Sequence, residues 1–283
     1  MHRPIFLDSF AFSVGSPRPI ESLWQEGVLS ADAYEDCVGR GITRFCAAER
    51  PLAALSSEAI ARTLSMAGIA QESVAQVDLR AQDCSVFSAG VEVAAERIAN
   101  GAAEHVLLVL TGHVPAGASR YSPELGTVFG DGAAACIVSS KRAGFELLSV
   151  ESWERGPHQQ PGQPPQPTGE QLLQDFQRLR NLLRTSYESA AVAPADITAV
   201  FGTHGSQIYL ELMAEAAAVP YERVYASAMQ EFGHVLACDN LIALSHFLSN
   251  TGPRPDRVFC LIGWSPWSAG VILLREVATP TYP

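Results

Sequence analysis

Three side chains of this sequence, one thiol and two imidazoles, could together carry out nucleophilic chemistry. Cys84 stands ahead of a run rich in Ala and Val, His204 lies in the segment T-H-G-S-Q, and His234 follows thirty residues later. A thiolate can attack an acyl carbonyl while a neighbouring imidazole supplies or takes up the proton. These residue types therefore allow nucleophilic catalysis with the thiol as the nucleophile.

The position of Cys84 favours a reactive thiolate and also allows a structural thiol. A strand-like run at 77–79 precedes it, and a helix is predicted just after it. The unpaired N–H groups and the dipole at a helix N-terminus stabilise a thiolate. The carboxylate of Asp83 would oppose this, and Asp83 or Ser85 could serve only as the helix cap. By position alone, a buried structural cysteine is the commoner case.

Each histidine is predicted to lie between a strand and a helix. His204 follows the strand-like run 199–201, and His234 precedes a helix predicted over 237–249. A single histidine at such a place is more often a core residue with satisfied hydrogen bonds. Two histidines in equivalent turns, in order with Cys84, are harder to explain as unrelated core residues.

The elements that must position these residues repeat in the two halves of the chain. The first half predicts a helix, a strand, a Gly/Ala-rich turn and a strand, at 88–100, 106–110, 130–134 and 135–138. The second half predicts a helix, a strand, a small-residue loop and a strand, at 237–249, 258–262, 268–270 and 271–274. This repeat favours an α/β fold of two duplicated halves with helices packed on sheets. A chance repetition of element order is the alternative.

A segment rich in Pro, Gln and Gly separates the two halves. Residues 155–170 read RGPHQQPGQPPQPTGE and show no apolar periodicity, so they predict a linker loop. The predicted domains are therefore 1–154, containing Cys84, and 171–283, containing both histidines. The second domain opens with leucines at helical spacing.

Composition excludes several classes of function. The chain has 283 residues, of which 47% are hydrophobic, so it can bury a large core. Its net charge of −11 argues against nucleic acid and acidic membranes as partners. Apolar runs such as 106–110 are too short to span a bilayer, and Asp8 interrupts the apolar N-terminal stretch. We therefore expect a cytoplasmic protein. Six scattered cysteines without a C-x-x-C pair predict neither a disulfide framework nor a metal site.

Several motifs, in order, resemble the ketoacyl-ACP synthase III family of the thiolase superfamily. The segment from Cys84 to Gly101 resembles the nucleophile region, where C-S-G-F or C-A-G-F opens a central helix; Ser85 and Phe87 match, and Val86 replaces Gly. The F-G-D-G-A-A run at 129–134 resembles the F-G-D-G-A-G signature, and 39–44 resembles R-T-G-I-x-x-R, followed by helix-like segments at 55–61 and 67–69. A simple Gly/Asp turn would account for the run at 129–134, but not for the order of the motifs.

The resemblance implies a thiolase-like fold in a layered α-β-α-β-α arrangement, with Cys84, His204 and His234 as catalytic residues. His204 stands where the family has its H-Q-A-N histidine, and His234 replaces the asparagine of G-N-T-S-A. Related condensing enzymes use Cys-His-His, so condensation with a malonyl-type acceptor is compatible with these residues. Transfer to an alcohol or amine stays an open alternative. Phe87 and Ser265 are expected at the substrate loop and oxyanion site.

Three departures from the family pattern leave a second function open. Val86 is branched where the family has Gly, and Pro266 has no N–H where a glycine run normally donates. Only fourteen residues separate Ile69 from Cys84, where the family has a further strand, loop and helix. A non-catalytic synthase-like subunit of an active paralogue would tolerate all three. An unrelated Cys-His hydrolase is a third possibility, and it does not predict the F-G-D-G-A motif.

The resemblance also implies partners. The donor would be an acyl thioester of coenzyme A or of an acyl carrier protein, in fatty-acid-like, polyketide or other secondary metabolite biosynthesis, with no permanently bound cofactor. The family's adenine-stacking tryptophan has no match near 34–40, which favours a carrier protein. Arg40, Arg44 and Arg50 either contact such a carrier or form a solvated charged face. A homodimer, or a heterodimer with a synthase paralogue, is expected.

Overall fold

The structure is a computed structural model that describes residues 4–79, 84–141, 143–154, 169–265 and 268–277. Its strands are β1 (Phe6–Val14), β2 (Ser16–Pro19), β3 (Arg44–Ala47), β4 (Ala75–Leu79), β5 (His105–Gly112), β6 (Tyr121–Ser122), β7 (Thr127–Val128), β8 (Gly132–Ser139), β9 (Phe145–Glu154), β10 (Ile197–Gly202), β11 (Val258–Ser265) and β12 (Ser268–Glu276). Its helices are α1 (Glu21–Gln25), α2 (Ala31–Gly39), α3 (Leu52–Ala67), α4 (Val86–Ala99), α5 (Gly169–Ala190), α6 (Gln207–Ala216), α7 (Ser227–Phe232) and α8 (Asp239–Thr251).

The main sheet repeats the same strand pattern on both sides of its centre. Its order is β10-β11-β12-β9-β1-β8-β5-β4. From β1 outward the pairings are antiparallel to β8, antiparallel to β5 and parallel to β4. From β9 outward they are antiparallel to β12, antiparallel to β11 and parallel to β10. This repeat confirms the predicted α/β fold of two duplicated halves.

Two buried helices separate the strands of the two halves. Helix α4 contacts β4, β5 and β8 of the first half and β9, β11 and β12 of the second, and α8 contacts β1, β10 and β11. On the outer faces, α3 packs on β1, β5 and β8, while α5 packs on β9 and β12. The layers are therefore helix, sheet, helices, sheet and helix, as the family resemblance predicts.

The sequence of α4 suits a position between two sheets. Phe87, Val91, Ala94 and Ile98 recur at helical spacing and are all buried in the central core. Burial of a large apolar side chain stabilises the fold by about 1.5–3 kcal/mol. The closely packed helix helps to fix the turn before it, which contains Cys84 and Ser85.

Helix α5 shows the opposite pattern, with one buried face. Leu179, Leu183 and Tyr187 are buried, whereas Leu172 and Leu173 at its N-terminal end are exposed. Such an amphipathic helix covers the outside of a sheet. Among the helices described, none is both long and apolar enough to cross a membrane.

Several element boundaries differ from the predicted ones. Strand β8 begins at Gly132, inside the predicted turn, and α4 begins at Val86 instead of Ser88. Helix α8 begins at Asp239 instead of Ala237, because Leu236–Cys238 forms a 3-10 turn. Leu236 has a φ of 54°, in the left-handed region, and this ends any regular helix there.

The division between the halves also lies earlier in the chain than predicted. Most of the predicted linker, 155–168, is outside the described residues, and its last two residues open α5. Strand β9, predicted within 1–154, pairs with β12 over nine register positions and with β1 over two, so it belongs to the second half. The predicted linker marks a change of composition in the chain. The boundary between the two repeated halves is instead determined by which strands pair.

Candidate active site

Cys84 lies in the turn directly before α4, so its sulfur is close to the helix N-terminus. The residue is 8% exposed. Ser85 occupies the N-cap position, but its side chain makes no capping bond; its hydroxyl donates to Ser268 Oγ at 2.6 Å instead. Of the two alternative caps, Ser85 takes the N-cap position without a capping bond from its side chain, and Asp83 lies outside the described residues.

Cys84 and His234 meet although 150 positions separate them in the chain. The distance from Cys84 Sγ to His234 Nε2 is 3.7 Å. On the other side of the ring, His234 Nδ1 lies 2.6 Å from Asp239 Oδ2. A carboxylate can only accept, so Nδ1 carries a hydrogen and Nε2 faces the sulfur. The three residues form a Cys-His-Asp triad in which the acid orients the imidazole.

Asp239 connects both histidines and was missed in the sequence. Its Oδ2 also accepts the backbone N–H of His204 at 3.0 Å, and its Oδ1 accepts that of Val235 at 2.7 Å. His204 Nδ1 lies 3.4 Å from Oδ1. The available signal was an acidic residue in the first turn of a buried helix, five positions after His234. A carboxylate there requires partners, because an unpaired buried charge is costly.

The two histidines differ in their pKa values and therefore in their charge. Burial lowers the pKa of His234, but Asp239 and the Cys84 sulfur outweigh it and raise that pKa to about 10. Burial lowers the pKa of His204, and the nearby charge of His234 adds to this lowering, while Asp239 opposes it. Burial raises the pKa of Asp239, but the two histidines and the donors on its oxygens bring it below its ordinary value. At neutral pH, His234 is an imidazolium, His204 is neutral and Asp239 is a carboxylate.

His204 reaches the triad through Asp239. Its Nδ1 also lies 3.3 Å from the carbonyl oxygen of Gly233, which is an acceptor. The hydrogen of the neutral ring is therefore on Nδ1, and Nε2 holds a lone pair. Nε2 is buried and has no hydrogen-bond partner among the described residues. The structure thus places Cys84 and His234 in contact, and adds His204 as a neutral acceptor beside them.

The F-G-D-G-A motif holds the backbone of His234. The N–H of His234 donates to Val128 O at 2.8 Å, and the N–H of Gly130 donates to His234 O at 2.9 Å. Gly233, directly before the histidine, has a φ of 73°, and a Cβ there would lie 2.7 Å from Val128 O. Such a position requires glycine.

Asp131 of the same motif has a structural role. Its carboxylate accepts the backbone N–H groups of Ala48 and Val114, both at 2.8 Å, and lies 2.6 Å from Arg120 Nη2. Burial raises the pKa of Asp131, but Arg120 and these N–H groups together lower it below its usual range. Asp131 therefore ties three loops together beneath the His234 turn.

The β11–β12 hairpin packs directly against the Cys84 turn. A Cβ at Gly263 would overlap the Cys84 carbonyl. Ser265 Oγ lies 3.0 Å from Ser268 Oγ, which in turn accepts from Ser85. The oxyanion role of Ser265 stays a prediction, and the neighbouring Pro266 lies outside the described residues.

Phe87 has a different environment from that expected of a substrate contact. It is fully buried in the apolar core between the two sheet halves. Its predicted role in the substrate loop stays a prediction.

Arg40, one of the predicted carrier contacts, forms hydrogen bonds within the fold. Its guanidinium donates to Gly205 O at 3.4 Å and to Gly126 O, so it ties α2 to the loop after His204. Arg50 forms an exposed ion pair with Glu58 at 2.9 Å. A contact of these arginines with a carrier stays a prediction.

Comparisons with known proteins agree with this arrangement. The profile of the 3-oxoacyl-[acyl-carrier-protein] synthase III family matches residues 77–156. Over this segment the chain is similar to the synthase III family. The matched segment contains Cys84 and the F-G-D-G-A motif, so the predicted resemblance is confirmed there. The histidines and Asp239 of this synthase III-like chain lie beyond it. A search of curated proteins gives no match.

Solved structures share the fold of the synthase III-like chain over nearly its whole length. ChlB3, described as an acyltransferase, is 17% identical with a TM-score of 0.85, covering 98% of this chain and 99% of that one. The 3-oxoacyl-[acyl-carrier-protein] synthase III of Aquifex aeolicus is 18% identical with a TM-score of 0.79, covering 96% and 100%. Cerulenin-bound OleA of Xanthomonas campestris is 11% identical with a TM-score of 0.73, covering 97% and 100%. At these identities, the likeness is one of fold.

Proposed function

We propose that this chain transfers an acyl group from a thioester to an acceptor through an acyl intermediate on Cys84. The observation that carries the proposal is the triad geometry, with 3.7 Å from Cys84 Sγ to His234 Nε2 and 2.6 Å from His234 Nδ1 to Asp239. An imidazolium beside a cysteine favours the thiolate, which is the nucleophilic form. A donor thioester of coenzyme A or of an acyl carrier protein fits the synthase III likeness.

Acylation uses the imidazolium as its acid. The Cys84 thiolate attacks the thioester carbonyl, and the bond between the acyl carbon and the donor sulfur breaks. His234 transfers its Nε2 proton to the departing thiolate, which leaves as a thiol. Asp239 retains the hydrogen on Nδ1, so the neutral ring keeps its orientation.

Transfer to the acceptor reverses these proton movements. An alcohol or amine attacks the acyl-cysteine and gives its proton to His234 Nε2. The bond from the acyl carbon to sulfur then breaks, and the Cys84 thiolate and the imidazolium are restored. The cycle consumes one thioester and one acceptor and needs no other reactant.

The state of His204 favours an alcohol or amine over a malonyl carbon as acceptor. Condensation requires donors that face the enolate oxygen formed by decarboxylation. The hydrogen of His204 is on Nδ1 and faces Gly233 O and Asp239, so its Nε2 can only accept. A lone pair at that place can accept a hydrogen bond from the O–H or N–H group of a protic acceptor before the proton passes to His234.

The alternative of a non-catalytic subunit receives less support. A subunit that only shapes a partner's pocket has no need for an aligned Cys-His-Asp set with an imidazolium at its centre. Pairing with a second subunit, the cytoplasmic location and a place in fatty-acid-like or secondary metabolite biosynthesis stay predictions.

Intact-protein mass spectrometry tests the acylation step. The wild type is incubated with a panel of acyl-CoA and acyl-carrier thioesters, beside Cys84→Ala and the matched variant Cys46→Ala. Cys46 is also buried, and burial raises its pKa to about 11, so its thiol is a poor nucleophile. We expect an acyl adduct in the wild type and in Cys46→Ala, and none in Cys84→Ala. No adduct from any donor would contradict the proposal and favour the subunit alternative.

The acceptor is identified in a second step. The acylated protein is mixed separately with panels of alcohols, amines and a malonyl thioester, and the loss of the adduct is followed together with the product. Ester or amide formation is the expected outcome. Carbon dioxide release with a β-ketoacyl product would overturn the assignment of the acceptor while leaving the acyl-cysteine intact.

A further inference from the structure

Phe129 covers the buried imidazole of His234. The centroids of the two rings are 5.2 Å apart, and their planes are inclined by 34°. Phe129 is half-buried, whereas Val128 and Gly130 on either side of it are buried, and His234 is 0% exposed. The phenyl ring is therefore part of the layer that separates His234 from solvent.

The backbone fixes this ring contact. His234 N donates to Val128 O and Gly130 N donates to His234 O, so the residues on both sides of Phe129 are bonded to the same histidine. Phe129 N in turn donates to Arg120 O at 2.7 Å. The main chain that carries the phenyl ring is therefore held next to the backbone of His234.

A phenyl face is a favourable neighbour for a cation. Its negative quadrupole attracts a positive group within about 6 Å of the ring centroid, and the attraction grows where water is excluded. His234 satisfies both conditions. A neutral imidazole in the same place would gain much less from the ring.

We propose that Phe129 is a positioning residue that holds His234 in its charged form through the face of its ring. This rests on the proposed function, in which the His234 imidazolium accompanies the Cys84 thiolate and protonates the departing thiol. The residue acts on the reaction through its acid, His234. The proposal also assigns a chemical role to the phenylalanine of the F-G-D-G-A motif in this chain.

Other groups that set the charge of His234 stay in place when Phe129 changes. Asp239 and the Cys84 sulfur favour the imidazolium, while the neighbouring His204 is itself neutral. Burial opposes the charge. A change confined to the phenyl ring therefore reports on the ring itself.

The test is a titration of His234 by NMR in protein with labelled histidine, using His234→Gln to assign its signal. We expect the midpoint in Phe129→Leu to fall by about half to one pH unit relative to wild type. Phe129→Tyr retains the ring and should titrate like the wild type. Phe12→Leu is the matched control, because Phe12 is also half-buried but packs edge-to-face with Phe232, with the ring centroids 5.5 Å apart.

A second substitution keeps the test decisive if Phe129→Leu does not fold. Pentafluorophenylalanine at position 129 retains the shape of the ring and reverses the charge of its face, so the midpoint should fall further than in Phe129→Tyr. An unchanged His234 midpoint in Phe129→Leu, or in the protein with pentafluorophenylalanine at position 129, would overturn the inference. The titration does not depend on turnover, so its outcome is independent of whether Cys84 becomes acylated.

Discussion

At the scale of single residues, Asp239 connects the parts of the candidate site through its hydrogen bonds. It orients His234 through Nδ1, accepts the N–H groups of His204 and Val235, and keeps its charge although it is fully buried. No other acidic residue of the described chain contacts both histidines. The acid therefore joins both histidines of the candidate site.

Replacing that acid with its amide should remove most of the activity. In Asp239→Asn the amide can present an N–H to His234, so the ring loses both its orientation and its charge partner. We expect kcat for acyl transfer to fall on the order of 10²–10⁴-fold, with the fold retained. Asp196→Asn is the control, because Asp196 accepts only from the backbone of Ala193 at the surface. Equal activity of Asp239→Asn and wild type would contradict the triad.

Because His204 is neutral in the folded chain, the free energy of unfolding should depend on pH in the acidic range. Burial lowers the pKa of His204 below the ordinary histidine value of about 6.5, so the unfolded chain binds a proton in a range where the folded chain does not. The contribution is fully present above about pH 6.5 and is lost as the pH falls, by at most about 1.4 kcal/mol per pH unit.

Urea unfolding between pH 8 and pH 5 checks this sign. Wild type should lose stability relative to His204→Gln as the solution is acidified. His113→Gln, at an exposed histidine, should follow the wild type. A constant difference between wild type and His204→Gln across this range would show that His204 is not held neutral.

At the scale of elements, the site is a junction of three structures. The turn before α4 carries Cys84, the turn before α8 carries His234 and Asp239, and the β11–β12 hairpin closes against the first of these. Glycines allow the close approach: the hairpin reaches the Cys84 carbonyl at Gly263 and the Ser88 hydroxyl at Gly270. The junction depends on main-chain contact, which leaves no room for a side chain.

A methyl group at this junction should separate the hairpin from the nucleophile. Gly263→Ala places a Cβ against the backbone of Cys84 and Ser85, so we expect a loss of about 1–3 kcal/mol in the free energy of unfolding. Gly169→Ala adds the same atom where no atom of the described residues lies within 4 Å, and it should change stability by less than about 0.5 kcal/mol. Thermal unfolding measures both. Equal stability of the two variants would mean that the junction tolerates a side chain.

At the scale of the whole molecule, the two halves share one interior. Helix α4 contacts strands of both, and one sheet continues from β4 to β10 through the β1–β9 pair. Neither half can bury its share of the central core without the other, because α4 and α8 fill the space between them. The candidate active site lies in this shared layer.

The molecule should therefore unfold as a single cooperative unit. Leu55→Ala weakens the outer face of the first half and Leu183→Ala that of the second, each by about 2–5 kcal/mol. Both residues are buried. Each variant should shift one common transition, seen equally by far-UV circular dichroism and by tryptophan fluorescence. A variant that splits the transition in two would show that the halves fold independently.

Much of this architecture follows from local patterns in the sequence. Apolar spacing predicts α4 and the strands β5 and β11, and the repeat of element order indicates two halves. The motif around Cys84 and the F-G-D-G-A run indicate the family, and the order of Cys84, His204 and His234 indicates a shared site. These features depend on residues that are near one another in the chain.

The tertiary structure alone decided which residues work together. It selected His234 as the partner of Cys84, gave His204 a neutral state and revealed Asp239 as the acid between them. It also moved β9 to the second half and turned the Ser85 hydroxyl away from its predicted cap. Hydrophobic periodicity determines which face of an element is buried. The pairing of a buried charge is instead determined by which loops meet after the chain folds, and Cys84 and His234 meet across 150 positions.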